Sequence, residues 1–164
     1  SILQMIQIDD YELYNRRYSY IVFEGKYFSP RQFELETKLK LFEISEPNEI
    51  YSESSNNKRI RGTTCKEGSA ILQTPLHILH ERNWLLNKLA RFKNVFKKFG
   101  IEKITLWELA YFIPNSQMNF EINPLQLKQL ADLKINYCLS IYEIEKDVTK
   151  ILPKRFWQIK SRTK

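Results

Sequence analysis

The fold is decided by Asn123-Pro-Leu-Gln-Leu-Lys-Gln-Leu-Ala-Asp-Leu-Lys-Ile-Asn-Tyr-Cys-Leu-Ser-Ile-Tyr-Glu-Ile144. Asn123 is suited to cap a helix, because its side-chain oxygen can accept a hydrogen bond from a free backbone N–H of the first turn. Pro124 falls at the first helical position, where a missing N–H costs nothing. Leu127, Leu130, Ala131 and Leu133 then give a short helix an apolar face. From Asn136 to Ile144 the period drops to two, with Tyr137, Leu139 and Ile141 on one face and Cys138, Ser140 and Tyr142 on the other. The stretch predicts a short helix feeding a core strand.

The same start signal stands upstream in Ser29-Pro-Arg-Gln32, where Gln32 is also placed for a capping box and the helix runs to about Leu39. Phe28 to Leu41 lies over Ile122 to Ile135 without a gap, and Pro, Gln, Leu and Lys are identical at four positions. Two readings stay open: an internal repeat, or two helices that share common start signals. Further strands are predicted over Tyr18 to Glu24, Leu41 to Ile44, Ala70 to Thr74 and Ile104 to Ile113, with a brief one at Ile50-Tyr51. Pro75 opens the longest helical pattern, to about Phe99. Ile78, Leu85, Leu89, Phe92, Phe96 and Phe99 form one stripe on it, and Gly100 stops it. Such a stripe suits a helix lying on a sheet, or a coiled-coil seam. These elements predict an α+β chain with an antiparallel or mixed sheet and helices packed on one face. The expected arrangement is ferredoxin-like, with two strand–helix–strand halves joined by a long helix.

The chain has 164 residues, 43% of them hydrophobic and only 4 Gly, which predicts one α+β domain over residues 1–147 with enough chain for a core. No apolar run is long enough to span a membrane. Ser1 to Met5 lack the charged start and long apolar run of a signal peptide. Cys65 and Cys138 read as a reduced cytosolic pair rather than a disulfide. The net charge of +7 is unevenly placed: residues 148–164 hold six basic residues and no acid, leaving 20 basic against 19 acidic residues elsewhere. The basic character therefore belongs to a C-terminal tail.

Catalytic patterns are not found: no Gly-rich phosphate loop, no nucleophile elbow, no Cys-x-x-Cys. His77 and His80, spaced i, i+3 beside Glu81, have the spacing to share a metal but lack a further ligand, so neither a metal nor a cofactor is expected. Glu143 and Glu145 share a strand face and read as solvated. Two segments are candidates for partner binding. Lys58, Arg59 and Arg61 lie in the Ser- and Asn-rich loop of residues 52–69. Lys154, Arg155, Phe156, Trp157 and Lys160 combine charge with aromatic surface in the tail, which either packs back on the body or holds a partner.

Tyr18 to Glu24, then Phe28-Ser-Pro with its helix to Leu41, then Trp84-Leu-Leu, then Ile122-Asn-Pro to Ser140-Ile-Tyr142 resemble a bacterial family known as domain of unknown function 4279. That family commonly carries a Pro shortly after the first helix and a Trp in the strand before the long helix. Here Pro47 comes late and Ala70-Ile71-Leu72 has no Trp. The resemblance implies a small α+β binding module, since some members look like the immunity side of toxin–immunity systems, and it transfers no site residues. The expectation is a cytoplasmic immunity protein, not an enzyme, that blocks the active or substrate-binding surface of a cognate protein toxin. The alternative is a nucleic-acid-binding module that uses the basic tail and the 58–61 loop. No membrane partner is expected, and the sequence does not set the oligomeric state.

Overall fold

The computed structural model describes residues 17–50, 62–75, 78, 80–112 and 120–143. Its strands are β1 (Arg17–Gly25), β2 (Leu41–Ser45), β3 (Gly68–Gln73), β4 (Lys103–Phe112) and β5 (Asn136–Glu143). Helix α1 (Pro30–Thr37) joins β1 to β2, α2 (Glu81–Ala90) lies between β3 and β4, and α3 (Pro124–Asp132) lies between β4 and β5. The strands form one mixed sheet in the order β2-β3-β1-β4-β5.

The first four strands are antiparallel to their neighbours, and β5 runs parallel to β4. The connections through α1 and α2 each skip one strand, which gives a split β-α-β-β-α-β order. A parallel neighbour needs a crossover, and α3 supplies it. The α+β class and the mixed sheet are as the sequence predicts. The strand at the centre is β1, however, and β5, read above as a core strand, is an edge.

Strand alternation places the core on one face. Ile21 and Phe23 of β1 stand opposite Leu106 and Ile104 of β4, and opposite Leu72 and Ala70 of β3. All six are buried in one cluster with Phe33 of α1, Leu85, Leu86 and Leu89 of α2, and Leu130 just before the end of α3. The three helices thus cover the same face. Phe33 is the hub of the aromatic part, with ring centroids 5.4 Å from Phe23, 5.8 Å from Phe28 and 5.2 Å from Phe99. The other face carries Tyr20 and Trp107, cross-strand partners whose rings are stacked at 6.4 Å.

The helix pattern from Pro75 to Phe99 resolves differently from the expectation. Among the described residues of that span, only Glu81–Ala90 is α-helical. Beyond it Phe92 donates to Leu89 and Val95 to Phe92, three residues back, and Lys97–Phe99 is a 3₁₀ turn ending in Gly100 at φ 73°. The tighter winding brings Phe96 and Phe99, three residues apart, onto Phe33. Leu85, Leu89 and Phe96 are buried as the stripe predicts, and Phe92 is partly buried.

At one end of the sheet, Gly25 pairs with Gly68. A Cβ on Gly68 would lie 1.8 Å from the Phe28 carbonyl oxygen, and one on Gly25 would lie 2.0 Å from that of Gly100. Backbone meets backbone there, and only glycine leaves room.

The helices starting at Ser29 and Asn123 share a cap but not a buried face. Ser29 accepts from the Gln32 N–H at 3.4 Å, and the Gln32 side chain turns away to Glu36. Asn123 and Gln126 complete the reciprocal box, at 2.9 and 3.1 Å. In the ungapped alignment fully buried Phe33 falls on Leu127, which is 53% exposed, and buried Leu130 falls on exposed Glu36. The alignment matches start signals; the two helices turn different sides to the sheet.

Candidate functional site

Glu108 stands in β4 on the face of Ile104, Leu106 and Ala110, where alternation calls for an apolar side chain, and it is 1% exposed. A buried carboxylate must be paired and hydrogen-bonded. Arg82, in the first turn of α2, supplies the pair: Nε donates to Oε1 at 2.7 Å and Nη2 to Oε2 at 2.6 Å, a two-pronged contact. Ser19 of β1 donates its hydroxyl to Oε1 at 3.0 Å, and Tyr137 of β5 donates to Oε2 at 2.5 Å. Each carboxylate oxygen therefore accepts two hydrogen bonds, which fills its capacity.

The network extends to α3. Arg82 Nη1 donates to the Glu121 carbonyl at 2.6 Å and to Gln126 Oε1 at 3.0 Å. Gln126 Nε2 donates to Asn83 Oδ1 at 2.5 Å. Beside it, the Ser19 N–H donates to Glu81 Oε2 at 2.6 Å. One arginine thus ties the start of α2 to β1, β4, β5 and the start of α3. Burial works against the charge on Glu108, but the hydrogen bonds from Arg82 and Tyr137, the Arg82 charge and the Ser19 bond outweigh it and hold its pKa below the usual value. Burial likewise opposes the Arg82 charge, and the hydrogen bond and charge of Glu108 overcome it, so its pKa is raised.

Above this network opens a polar cleft of about 160 Å³ lined by Ser19, His80, Glu81, Arg82, Asn83, Glu108 and Gln126. It is smaller than the ~300–1,000 Å³ of ordinary small-molecule sites. The Glu108 carboxylate beneath it has every lone pair occupied and its partners fixed, which suits a structural clamp better than a proton-transfer group.

The sequence draws attention to His80 and Glu81 and hides Arg82. Glu81 is buried against β1 and His80 is exposed at the cleft rim; His77 lies outside the described residues. Among the described residues no group of three or more His, Cys, Asp or Glu is placed to hold a metal ion. Cys65 and Cys138 are free thiols. The candidate partner-binding residues Lys58, Arg59, Arg61, Lys154, Arg155, Phe156, Trp157 and Lys160 all lie outside the described residues, as does the 148–164 tail. No helix among the described residues is long and apolar enough to cross a membrane.

The anchor points of the 58–61 loop are described. Ile50 and Thr64 form an isolated bridge at its neck. Arg31 of α1 ties to the turn just before Ile50, with its N–H 2.8 Å from Glu46 Oε1 and Nη2 3.1 Å from Glu49 Oε1. Leu35, one helical turn beyond Arg31 on the same side of α1, is 67% exposed, and Ile50 is 66% exposed. Leu35 on α1 and Ile50 at the bridge are thus two large apolar side chains left at the surface.

No protein-family model matches the chain, and comparison with curated proteins and with solved structures finds no match to it.

Proposed function

We propose that the chain is a cytoplasmic immunity protein that binds a cognate toxin domain and blocks its active or substrate-binding surface, acting by recognition rather than catalysis. The observation that carries this reading is the exposure of two large apolar side chains, Leu35 and Ile50, the latter preceding in the sequence the segment that bears Lys58, Arg59 and Arg61. Exposed apolar anchors, in a chain whose sequence adds basic runs, suit a protein partner with an acidic surface, the anchors supplying affinity and the charges steering association. The Arg82–Glu108 clamp supports it further, because a body that arrives preorganised loses less entropy on binding.

The test is co-expression with a toxin domain encoded immediately upstream of this chain's gene. The two proteins should co-purify and growth should be restored. Leu35→Asp with Ile50→Asp should weaken both effects and leave thermal unfolding unchanged. Absence of complex and of protection overturns the reading. A second reading, nucleic-acid binding through the basic tail and the 58–61 loop, has in its favour the six basic and no acidic residues of 148–164, since Lys and Arg neutralise phosphates. Nucleic acid retained at about 50 mM salt and lost several-fold by about 200 mM supports that reading instead.

A further inference from the structure

The sheet has two edges, and the chain treats them differently. β2 has five residues, its ladder with β3 shifts register between Phe42 and Ser45, and Glu43 sits at φ 48°. Lys40 and Glu43 add charge beside it. A short strand, an irregular ladder and charge are the devices by which an edge refuses a further strand. β5 has none of them. It has eight residues in unbroken register with β4, from Thr105 opposite Asn136 to Phe112 opposite Glu143, and no charge, Pro or Gly before Glu143. Among the described residues it pairs with β4 alone.

The surface beside this edge is apolar. Ile141 shares the helix-covered face with Tyr137 and Leu139, yet it is 52% exposed. Leu127 of α3 is also exposed, at 53%. The side of α3 that turns toward α2 is marked by Gln126, bonded to Asn83, and by Gln129, bonded to Asn87. At 100° per residue Leu127 points to the other side, away from α2.

We propose that β5 is a homodimerisation edge: two copies pair their β5 strands antiparallel about a two-fold axis at Ser140, making one continuous sheet. The surface fits itself. An axis perpendicular to the sheet keeps the helices of both copies on one side, and it sets Leu139 of each copy opposite Ile141 of the other. Across the paired span Tyr137–Glu143 no like charges face each other, since Glu143 falls opposite Tyr137. The proposal uses a surface apart from Leu35 and Ile50 and does not depend on the toxin reading.

The test uses the full chain. Sedimentation at rising concentration should show a monomer–dimer equilibrium, and Ile141→Lys should abolish the dimer without altering far-ultraviolet dichroism. A second variant does not depend on how well Ile141→Lys folds. In a Cys138→Ser background, Ser140→Cys puts two thiols at the axis, where paired strands hold Cα atoms about 4.5–5.5 Å apart, within disulfide range. Mild oxidation should give a covalent dimer, while Ser45→Cys on the β2 edge in the same background should not. Three results each overturn the proposal: a full chain that stays monomeric to about 1 mM, the weak limit of measurable association; a dimer unaffected by a folded Ile141→Lys; or no cross-link from Ser140→Cys.

Discussion

Glu108 carries a charge at a position that strand alternation reserves for apolar side chains, and what surrounds it sets its consequences. Replacing one partner of a buried pair leaves the other charge stranded, so Glu108→Gln should destabilise the protein by about 3–5 kcal/mol in urea unfolding. The double variant Arg82→Leu with Glu108→Leu should cost less than the two single changes added together, since it strands no charge. Acid should act through the same residue. The folded protein holds the Glu108 pKa below its unfolded value, so the unfolded state takes up the proton first. The stabilisation is complete above the ordinary glutamate range and is lost as pH falls through the lowered folded value. Stability measured against pH in that acidic window should fall more steeply for the native chain than for Glu108→Gln. The strand Ile104-Thr-Leu-Trp-Glu-Leu-Ala shows a charge in a core register, and that much is legible in the sequence. The identity of its partner is not, because Arg82 lies 26 residues earlier and only the crossover brings it over β4.

Among the elements, the helix starts were legible and the helix faces were not. Caps depend on three or four neighbouring residues, so Ser29 and Asn123 announce α1 and α3 directly. Which side each helix buries depends on how its crossover enters the sheet, and identical caps leave that open: Phe33 is buried where Leu127 is exposed. The caps themselves should differ in strength. Asn123→Ala removes one bond of a closed box and strands the side chain that answers it, and should cost about 1 kcal/mol or somewhat more. Ser29→Ala removes a single long bond and should cost less; paired thermal melts check the order. α2 was read as far too long because Arg91 to Phe99 contains no Gly or Pro to mark a stop. The unwinding there is a tertiary effect, driven by Phe96 and Phe99 reaching Phe33. Leu89, fully buried in the part that stays helical, should cost about 2–5 kcal/mol on truncation to Ala by chemical denaturation. A loss under roughly 0.5 kcal/mol would place α2 off the sheet.

For the whole molecule, the central strand is the first made among the described strands. Among the described residues β1 pairs with β3 and β4 and with nothing nearer in the chain. During synthesis, at about 5–20 residues per second, Tyr18-Ser-Tyr-Ile-Val-Phe23 leaves the ribosome and waits some seconds before Gly68–Gln73 appears, and longer for Lys103–Phe112. Both faces of that strand are apolar or aromatic through this interval, and it is the kind of segment that other nascent chains can capture. Stalled chains of increasing length make this visible. A chain halted with its visible end before Gly68 should be protease-sensitive around β1 and prone to sediment with aggregates, and protection should arrive only after β4 has emerged. The arrangement that puts β1 under the whole core also leaves it open on one side until β4 is made, so the yield of native protein should depend on how fast the ribosome reaches Phe112.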